Sequence, residues 1–583
     1  MLSEYNRCHP PLVLVSALAL FSLIRGASAT TNFSKCLAEI NNGTWGLDGG
    51  RNNTGHPVHI SQATAVTFEL CNRACGTGPE AFSWPVFSQQ FSAWLLPWLA
   101  LISQLPFGAK LRSENIMSMM LAVGSPTLAA YSLVLTVLNG RWIARQFSRY
   151  EYPNTRYAVR ILTSLQQTHL TVNTADGLLS SLVILPENDH WWADFAEWLD
   201  FAQTWSIAAA ASVAWVLIAY LFTVIDSFTS ILESVNSNGQ SVGSVWLWLL
   251  PVVVGWLQIS PKCDIERLTS AIKRANDIAY IAPTSPGLPA VPAGAESSDR
   301  AIAIRKERPG SVYHDEECSA PIYNYARFFS WVQAADEVSC AFHYASEKAW
   351  LHKPVDPKSS WQISAGKDGI HPENRVGSLE QVEAYCSNAE YSQRSRWGPE
   401  VLSRSMVAGL LSLALQWGTT GAAIVVVYFT PTTGLGCRSA AYLLYAAVST
   451  LVWMMMVASS ALAHYSTPHS TKKQHTSLID ASERTAAVVS ILLRRTGKVL
   501  AACNAIWIVA TCMFQFSNFF DRCYCNSSVF GLGKAAAYNV IQFTEADLPG
   551  MREAWIGGVV LALSVGLGFI GFLNTFLDPA LQA

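Results

Sequence analysis

Charged residues are scarce in this chain of 583 residues: Asp, Glu, Lys and Arg make up 14%, whereas soluble domains average about 25%. The formal net charge is only −2, so no overall positive field indicates a nucleic-acid partner. Hydrophobic residues account for 51% and lie in long runs, which is typical of membrane spans rather than of a soluble core. The composition therefore predicts an integral membrane protein whose main partner is the lipid bilayer.

Sequence motifs for metal or cofactor chemistry are also missing. The longest polar connection has no tight cysteine pair such as C-x2-C, the usual spacing of a zinc site. Its thiols and imidazoles are widely spaced, and they include Cys263, Cys318, Cys340, Cys386, His314, His343 and His371. We interpret these as ordinary reduced thiols, predict no catalytic, cofactor or metal residue, and regard an enzyme as the least favoured functional class.

One segment, Pro186–Trp192, gathers acids, an imidazole and indoles just before a hydrophobic run. In one interpretation, His190 pairs with Asp189 or Asp194 as a general base. In the other, the segment starts an interfacial helix whose aromatic side chains lie along the lipid headgroups: Trp191, Phe195 and Trp198. The sequence favours the interfacial helix, because no nucleophile or set of metal ligands lies nearby.

The N-terminus has the features of a secretory signal. An apolar run from Pro11 to Ile24 is followed by the small-residue cleavage pattern Ala27-Ser28-Ala29. Cleavage is favoured over an uncleaved anchor helix, since the run is shorter than the about 20 residues of a membrane span. The next region carries three glycosylation sequons, at Asn32, Asn42 and Asn52. We predict a signal peptide over 1–29 and a small glycosylated luminal head over 30–90.

Hydrophobic runs of about span length predict an all-α polytopic transmembrane helix bundle, in helix groups over 91–260 and 404–583. The runs are Ile116–Leu138, Trp205–Ile225, Val245–Ile259, Met406–Phe429, Ala440–Ala463, Leu500–Phe516 and Trp555–Leu577. An eighth run, Trp94–Ala109, is short and contains Pro97 and Pro106. Gly124-Ser125-Pro126 is expected to kink the first long run.

Basic residues are concentrated in alternate connections, and short cytoplasmic loops concentrate Lys and Arg. If the basic connections face the cytosol and the head faces the lumen, the chain can cross the membrane only once between the head and the first basic connection. We therefore predict seven full spans, with Trp94–Ala109 re-entrant or interfacial; the alternative is eight crossings. The luminal side then holds six cysteines and a fourth sequon: Cys36, Cys71, Cys75, Cys437, Cys523, Cys525 and Asn526. These cysteines are predicted to form disulfides, with pairing inside the head favoured over pairing to the last loop.

The cytosolic loop over 261–403 is predicted to be large and partly disordered. Ile265–Tyr280 combines an apolar stripe with a basic face, as in a helix on the inner leaflet or a solvated extension of the preceding span. A linker rich in Pro, Gly, Ala and Ser is predicted to be disordered over 282–312. Aromatic residues after it indicate a small packed helical element, so the loop is a candidate docking site for a cytosolic protein partner.

Only amides lie deep within the runs: Gln416, Asn504 and Gln515. Buried amides usually bridge helices, but these three are also the candidate intramembrane polar site. The small-residue stripe Gly558, Ala562 and Gly566 suits close helix packing, either inside the bundle or between copies in a homo-oligomer.

Four stretches carry a resemblance: LQWGTTGAA from Leu415, TPTTGLGCRSAAYLLY from Thr430, SPTLAAYSLVLTVLNGRWI from Ser125 and GWLQISPKCD from Gly255. Together they resemble an uncharacterised family of multi-pass membrane proteins of filamentous fungi, from about Trp94 to about His464. The resemblance implies a multi-pass fold in a fungal membrane and no particular activity.

Two functional classes lead from the sequence. The first is a receptor-like or scaffolding protein of the plasma membrane that acts through the cytosolic loop. The second is a carrier or channel for an uncharged or amphipathic solute.

Overall fold

The computed structural model describes residues 30–109, 112–201, 205–229, 241–296, 299–304, 312, 314–363, 369–387, 397–466 and 477–577. The predicted signal peptide, 1–29, lies outside the described residues. About 71% of the chain is helical, so the predicted all-α class is confirmed.

The helices are numbered here in chain order. Those before the long polar connection are α1 (Phe33–Asn41), α2 (Phe68–Ala74), α3 (Trp84–Gln90), α4 (Leu96–Ile102), α5 (Arg112–Gly124), α6 (Pro126–Phe147), α7 (Thr155–Ser164), α8 (Leu178–Ile184), α9 (Asp189–Trp198), α10 (Ile207–Thr229), α11 (Val242–Val245) and α12 (Leu249–Ile259). Those after it begins are α13 (Ile265–Asp277), α14 (Ala293–Glu296), α15 (His314–Glu317), α16 (Asn324–Trp350), α17 (Leu379–Cys386), α18 (Val401–Phe429), α19 (Cys437–Ser466), α20 (Ser477–Phe516), α21 (Cys523–Asn526), α22 (Val529–Ala536) and α23 (Leu548–Phe576).

Seven short strands lie among the described residues: β1 (Gly50–Arg51), β2 (Ala65–Thr67), β3 (Leu170–Val172), β4 (Tyr280–Ile281), β5 (Val291–Pro292), β6 (Ile302–Ile304) and β7 (Tyr538–Val540). Each pairs antiparallel, in the orders β1-β2-β7, β3-β6 and β4-β5.

Six helices in the described part of the chain are long and apolar enough to cross a membrane. They are Ile207–Thr229, Val242–Ile259, Val401–Phe429, Cys437–Ser466, Ala481–Phe516 and Glu545–Phe576. The pair α5–α6 makes a seventh candidate if it is counted as one bent span. The chain is therefore a multi-pass membrane protein.

The two ends of the helix bundle carry different folded units. At one end, β7 of the last loop pairs with β2, and the disulfide Cys71–Cys523 joins the same two regions. A second bond, Cys437–Cys525, ties in the turn between α18 and α19. We call this unit the head cap: residues 30–81, 430–436 and 517–547.

At the other end, the two long polar connections fold together. Strand β3 of the first connection pairs with β6 of the second, and the ring of Trp331 in α16 donates a hydrogen bond to Leu162 O in α7. We call this unit the base domain: 148–201 together with the described part of 260–400.

The predicted disordered linker, 282–312, does not fit its described residues. Ala282 and Ile302 are buried, and β5 and β6 both pair with other strands. Helix α13 likewise differs from both interpretations of Ile265–Tyr280. Its apolar face packs on α9 and β6, and Asn276 Nδ2 donates to Ile302 O. Composition missed both features because the partners come from distant parts of the chain.

The expected kink at Gly124-Ser125-Pro126 is confirmed, and it is sharp: α5 and α6 meet at 103°. Ser125 caps α6 by accepting from Leu128 N. A Cβ at Gly124 would lie 1.9 Å from Ala501 O, so only glycine allows α20 to approach this closely. Ile116–Leu138 is therefore two helices rather than one straight span.

Contacts at the ends of these segments reverse the predicted assignments of Trp94–Ala109 and of the bent pair α5–α6. Near Trp94–Ala109, Glu80 N donates to Asp521 O in the head cap, and Cys263 Sγ in the base domain donates to Phe107 O. The chain from Trp84 to Phe107 thus runs from one end of the bundle to the other. The bent pair instead begins and ends beside the base domain: α5 contacts the turn Pro321–Tyr323, and the ring centroids of Phe147 and Phe342 lie 5.4 Å apart. The short proline-containing segment spans the bundle, and the pair α5–α6 enters and returns.

Candidate ligand cavity in the head cap

A cavity of about 320 Å³ lies where the head cap meets the ends of α18 and α19. Three separate parts of the chain line it: the head, the turn 430–436 and the last loop. Gly434, with φ 125°, and Gly436, whose Cβ would lie 2.8 Å from Cys525 O, let the turn pack closely against the last loop. The adjoining bond Cys437–Cys525 holds these two walls together.

Arg438, in the first turn of α19, is the main cation of the cavity. Its guanidinium donates to Asp521 Oδ1 at 2.5 Å, Gln515 Oε1 at 2.6 Å and Asn526 Oδ1 at 2.7 Å. The Arg438 and Asp521 side chains are only 9% and 15% exposed, so this is a buried ion pair with additional amide acceptors. It anchors the last loop to the start of α19.

Glu80 adds a second carboxyl group to the same wall. Partial burial, and secondarily the Asp521 carboxylate, raise the pKa of Glu80 above its ordinary value. A hydrogen bond from the Phe33 backbone and the charge of Arg438 oppose this shift with smaller effects. Two carboxylates and one guanidinium leave the cavity with a net negative charge when Glu80 is ionised.

Asn539 supplies an unused acceptor. The residue is 1% exposed and lines the cavity, and its Oδ1 has no hydrogen-bond partner within the described residues. Its Nδ2 donates to Cys71 Sγ at 3.3 Å. Buried polar atoms are nearly always hydrogen-bonded, so an occupant with N–H or O–H donors suits this position.

The arrangement favours binding over catalysis. The hydroxyls of the cavity serve its walls: Ser528 Oγ donates to Thr432 O, and Thr432 Oγ1 accepts from Val540 N. The cavity is suited to binding a small molecule that has several hydrogen-bond donors and is either positively charged or neutral.

Two helices that line or support this cavity also reach the base domain. At the far end of α19, Ser460 Oγ donates to Ala326 O of α16, and His464 stacks on Phe329 at 5.2 Å. On α20, Lys498 Nζ lies 2.5 Å from the buried Asp315 carboxylate. Both helices therefore contact the cap at one end and the base at the other.

The base domain contains its own buried charge at that junction. Asp315 also accepts a hydrogen bond from Tyr325 OH at 2.5 Å, and Arg327 donates to Asn324 Oδ1 at 2.5 Å. Burial lowers the pKa of Arg327 to about 10. Asp315 and Arg327 each bond to neighbouring polar groups, which fits a structural junction.

The six predicted disulfide cysteines pair as Cys36–Cys75, Cys71–Cys523 and Cys437–Cys525. Only Cys36–Cys75 lies inside the head, as the sequence led us to expect; the other two bonds involve the last loop. The bond Cys71–Cys523 forms because β7 pairs with β2 and brings the last loop onto the head.

The three deep amides do not form one site. Asn504 Nδ2 donates to Gly124 O and Tyr445 O, so it bridges the bent pair to α19. Gln515 accepts from Arg438, whereas Gln416 Nε2 donates to Thr420 Oγ1 of its own helix. Within the described residues no hydrogen bond joins any two of them, and only Gln515 adjoins the cavity.

The sequons differ in their surroundings. Asn32 and Asn42 are exposed, whereas Asn52 is half-buried in a turn, where its Oδ1 accepts from His56 N. Asn526 is half-buried beside Arg438, and Ser527 and Ser528 of its sequon are buried. The folded structure therefore leaves Asn32 and Asn42 most open to a glycan.

The segment Pro186–Trp192 does not assemble the acid–imidazole pair. Both Asp189 carboxylate oxygens accept from Arg375, at 2.7 and 2.8 Å, while His190 is exposed. The alternative of a headgroup-facing helix is also wrong, because Trp191 and Phe195 are buried in the protein core. Of the loop thiols, Cys263, Cys318 and Cys386 are buried and Cys340 is half-buried.

Sequence reasoning missed Arg438, Glu80 and Asn539 as members of one site. Arg438 offered the only signal, as the single basic residue in the connection Thr430–Ser439. Comparison of the chain with protein-family models, with curated proteins and with solved structures finds no match.

Proposed function

We propose that the protein is a receptor-like membrane protein of the secretory pathway, with the head cap on the luminal or extracellular side. In this proposal a small polar ligand binds in the head-cap cavity, and the bound state is passed to the base domain on the cytosolic side. The observation that carries it is the polar cavity with the unused Asn539 acceptor, on helices whose other ends contact the base domain.

The distribution of cysteines supports this orientation. Two of the three disulfides described lie within the head cap and the third joins it to the first residue of α19, while the described cysteines of the base domain are free thiols. Disulfides persist in oxidising compartments and are rare in the cytosol. We propose the plasma membrane as the location of the protein, and membership of the uncharacterised fungal family as its relationship.

The base domain is the output surface in this scheme. It is a packed unit assembled from two connections, and α19 and α20 contact it directly. A shift of either helix on ligand binding would change its contacts with α16. A cytosolic protein that recognises the base domain is the partner that the proposal requires.

Ligand binding to the full chain in nanodiscs tests the proposal. Thermal stability is measured with panels of small amines, polyols and carboxylic acids. The expected result is stabilisation by amines or polyols, lost in Glu80→Gln or Asn539→Ala and kept in the exposed head variant Glu69→Gln. Hydrogen exchange of peptides from α16 should change on binding. Stabilisation that is equal in all variants, only with acids, or with none of the panels overturns the proposed ligand class.

A carrier for an uncharged or amphipathic solute is the second candidate, and the bent pair α5–α6 favours it. Helices broken at mid-membrane are a feature of many transporters. Flux into reconstituted vesicles that is lost on Gln416→Leu would support a carrier, whereas flux equal to that of empty vesicles removes it. A membrane-embedded enzyme ranks third.

A further inference from the structure

A second cavity, of about 470 Å³, opens sideways between α3–α4, α5 and α20. We call it the lateral groove. Its wall on α20 is formed by one helical face that includes Val509, Ala510 and Met513, and its floor reaches Val123 next to the bend of α5–α6.

The groove lies at the depth of the membrane hydrocarbon. Its α20 residues belong to the last three turns of the candidate span Ala481–Phe516, on the head-cap side. Water is excluded at this depth and lipid is the solvent, so whatever enters the groove from the side is apolar.

The lining suits a flexible chain. Met119, Met120 and Met513 supply adaptable side chains, which fit apolar ligands of irregular shape. Phe87 forms part of the wall and stacks on Trp84 at 5.7 Å. Ser517, at the rim, is the only lining residue with a polar side chain other than an indole.

A cation lies above the rim. Arg522 follows α20, and its guanidinium lies 4.0 Å from the centroid of the Phe519 ring. That ring stacks at 4.5 Å on Phe514, which lines the groove. Arg522 Nε donates to Phe519 O, and no acidic side chain pairs with Arg522 in the described part of the chain. A phosphate would supply the missing anion.

We propose that the lateral groove binds one acyl chain of a phospholipid from the head-side leaflet, with the lipid phosphate held near Arg522. The apolar groove and the cation above it match the two parts of such a lipid, which no purely apolar occupant would do. This inference does not depend on the proposed receptor function.

Native mass spectrometry of the full chain, purified in detergent and then given a defined phospholipid, tests the proposal. Ala510→Trp fills the groove, and Val560→Trp, on the exposed lipid side of α23, is the matched control. The expected result is one bound lipid on the wild type and on Val560→Trp, lost from Ala510→Trp, and bound several-fold more weakly by Arg522→Gln. Equal lipid binding by all four proteins overturns the proposal.

Photo-crosslinking of the wild type gives a result that does not depend on how a variant folds. A phospholipid with a diazirine in its acyl chain should label the 505–517 peptide in preference to the 556–567 peptide of α23. Equal labelling of the two peptides contradicts a specific site. So does a lipid that fails to label the 505–517 peptide at all.

Discussion

Removing the Arg438 side chain should strongly destabilise the head cap. The variant Arg438→Met takes away three charge-assisted hydrogen bonds and leaves Asp521, 15% exposed, without its cation. Breaking a buried ion pair by removing one partner costs about 3–5 kcal/mol, chiefly because a buried charge is left uncompensated. We expect a loss in the free energy of unfolding within that range.

A double-mutant cycle separates the ion pair from the rest of the site. If the unpaired carboxylate causes most of the loss, Arg438→Met/Asp521→Leu should be less destabilised than the sum of the two single variants. Coupling between residues in contact is commonly about 0.5–3 kcal/mol. Arg438→Lys should be intermediate, because an ammonium keeps the charge but cannot direct donors to three acceptors in a guanidinium plane.

The assay is denaturant-induced unfolding of the full chain in detergent, followed by tryptophan fluorescence and by size-exclusion retention. The control is Lys35→Met, which breaks an exposed pair with Glu39 at 3.9 Å. Such pairs contribute less than about 1 kcal/mol. A loss for Arg438→Met no larger than that of the control, or single-variant losses that simply add, would refute a central structural role for this ion pair.

Three further predictions concern sidedness, glycosylation and pH. On intact cells, an impermeant thiol reagent should reach the half-buried Cys75 only after its bond to Cys36 is reduced, and Cys340 should label only after permeabilisation; Cys340 labelling without permeabilisation contradicts the proposed orientation. Cys318 should label only on unfolding, because it is buried and burial raises its pKa to about 12. Endoglycosidase should shift the wild-type band, Asn42→Gln should reduce the shift, and Asn526→Gln should leave it unchanged; the reverse order would contradict the exposure of these sites. Glu80→Gln should stabilise the protein at neutral pH. Because the pKa of Glu80 is raised in the folded state, the stability of the wild type falls as pH rises from about 4.5 through that pKa. A gain in stability that persists below pH 4.5 would exclude this cause.

Composition and hydrophobic runs were sufficient for the membrane class, because the bilayer requires long apolar helices wherever the chain crosses it. The kink at Gly124-Ser125-Pro126 was equally local, since proline and glycine act on their own backbone. The set of six paired cysteines followed from charge segregation, which assigns all of them to one side of the membrane.

Tertiary structure alone decided which segment crosses and which returns. Trp94–Ala109 is too short and too rich in proline to be recognised as a span, yet its neighbours attach it to Asp521 at one end and Cys263 at the other. The cavity was hidden for the same reason. Glu80, Arg438 and Asn539 lie at least 100 residues apart in the sequence, and they meet because β7 pairs with β2 and two disulfides join the walls. Hydrophobicity and residue spacing identify the type of each segment, whereas long-range pairing determines which segments are neighbours in the fold.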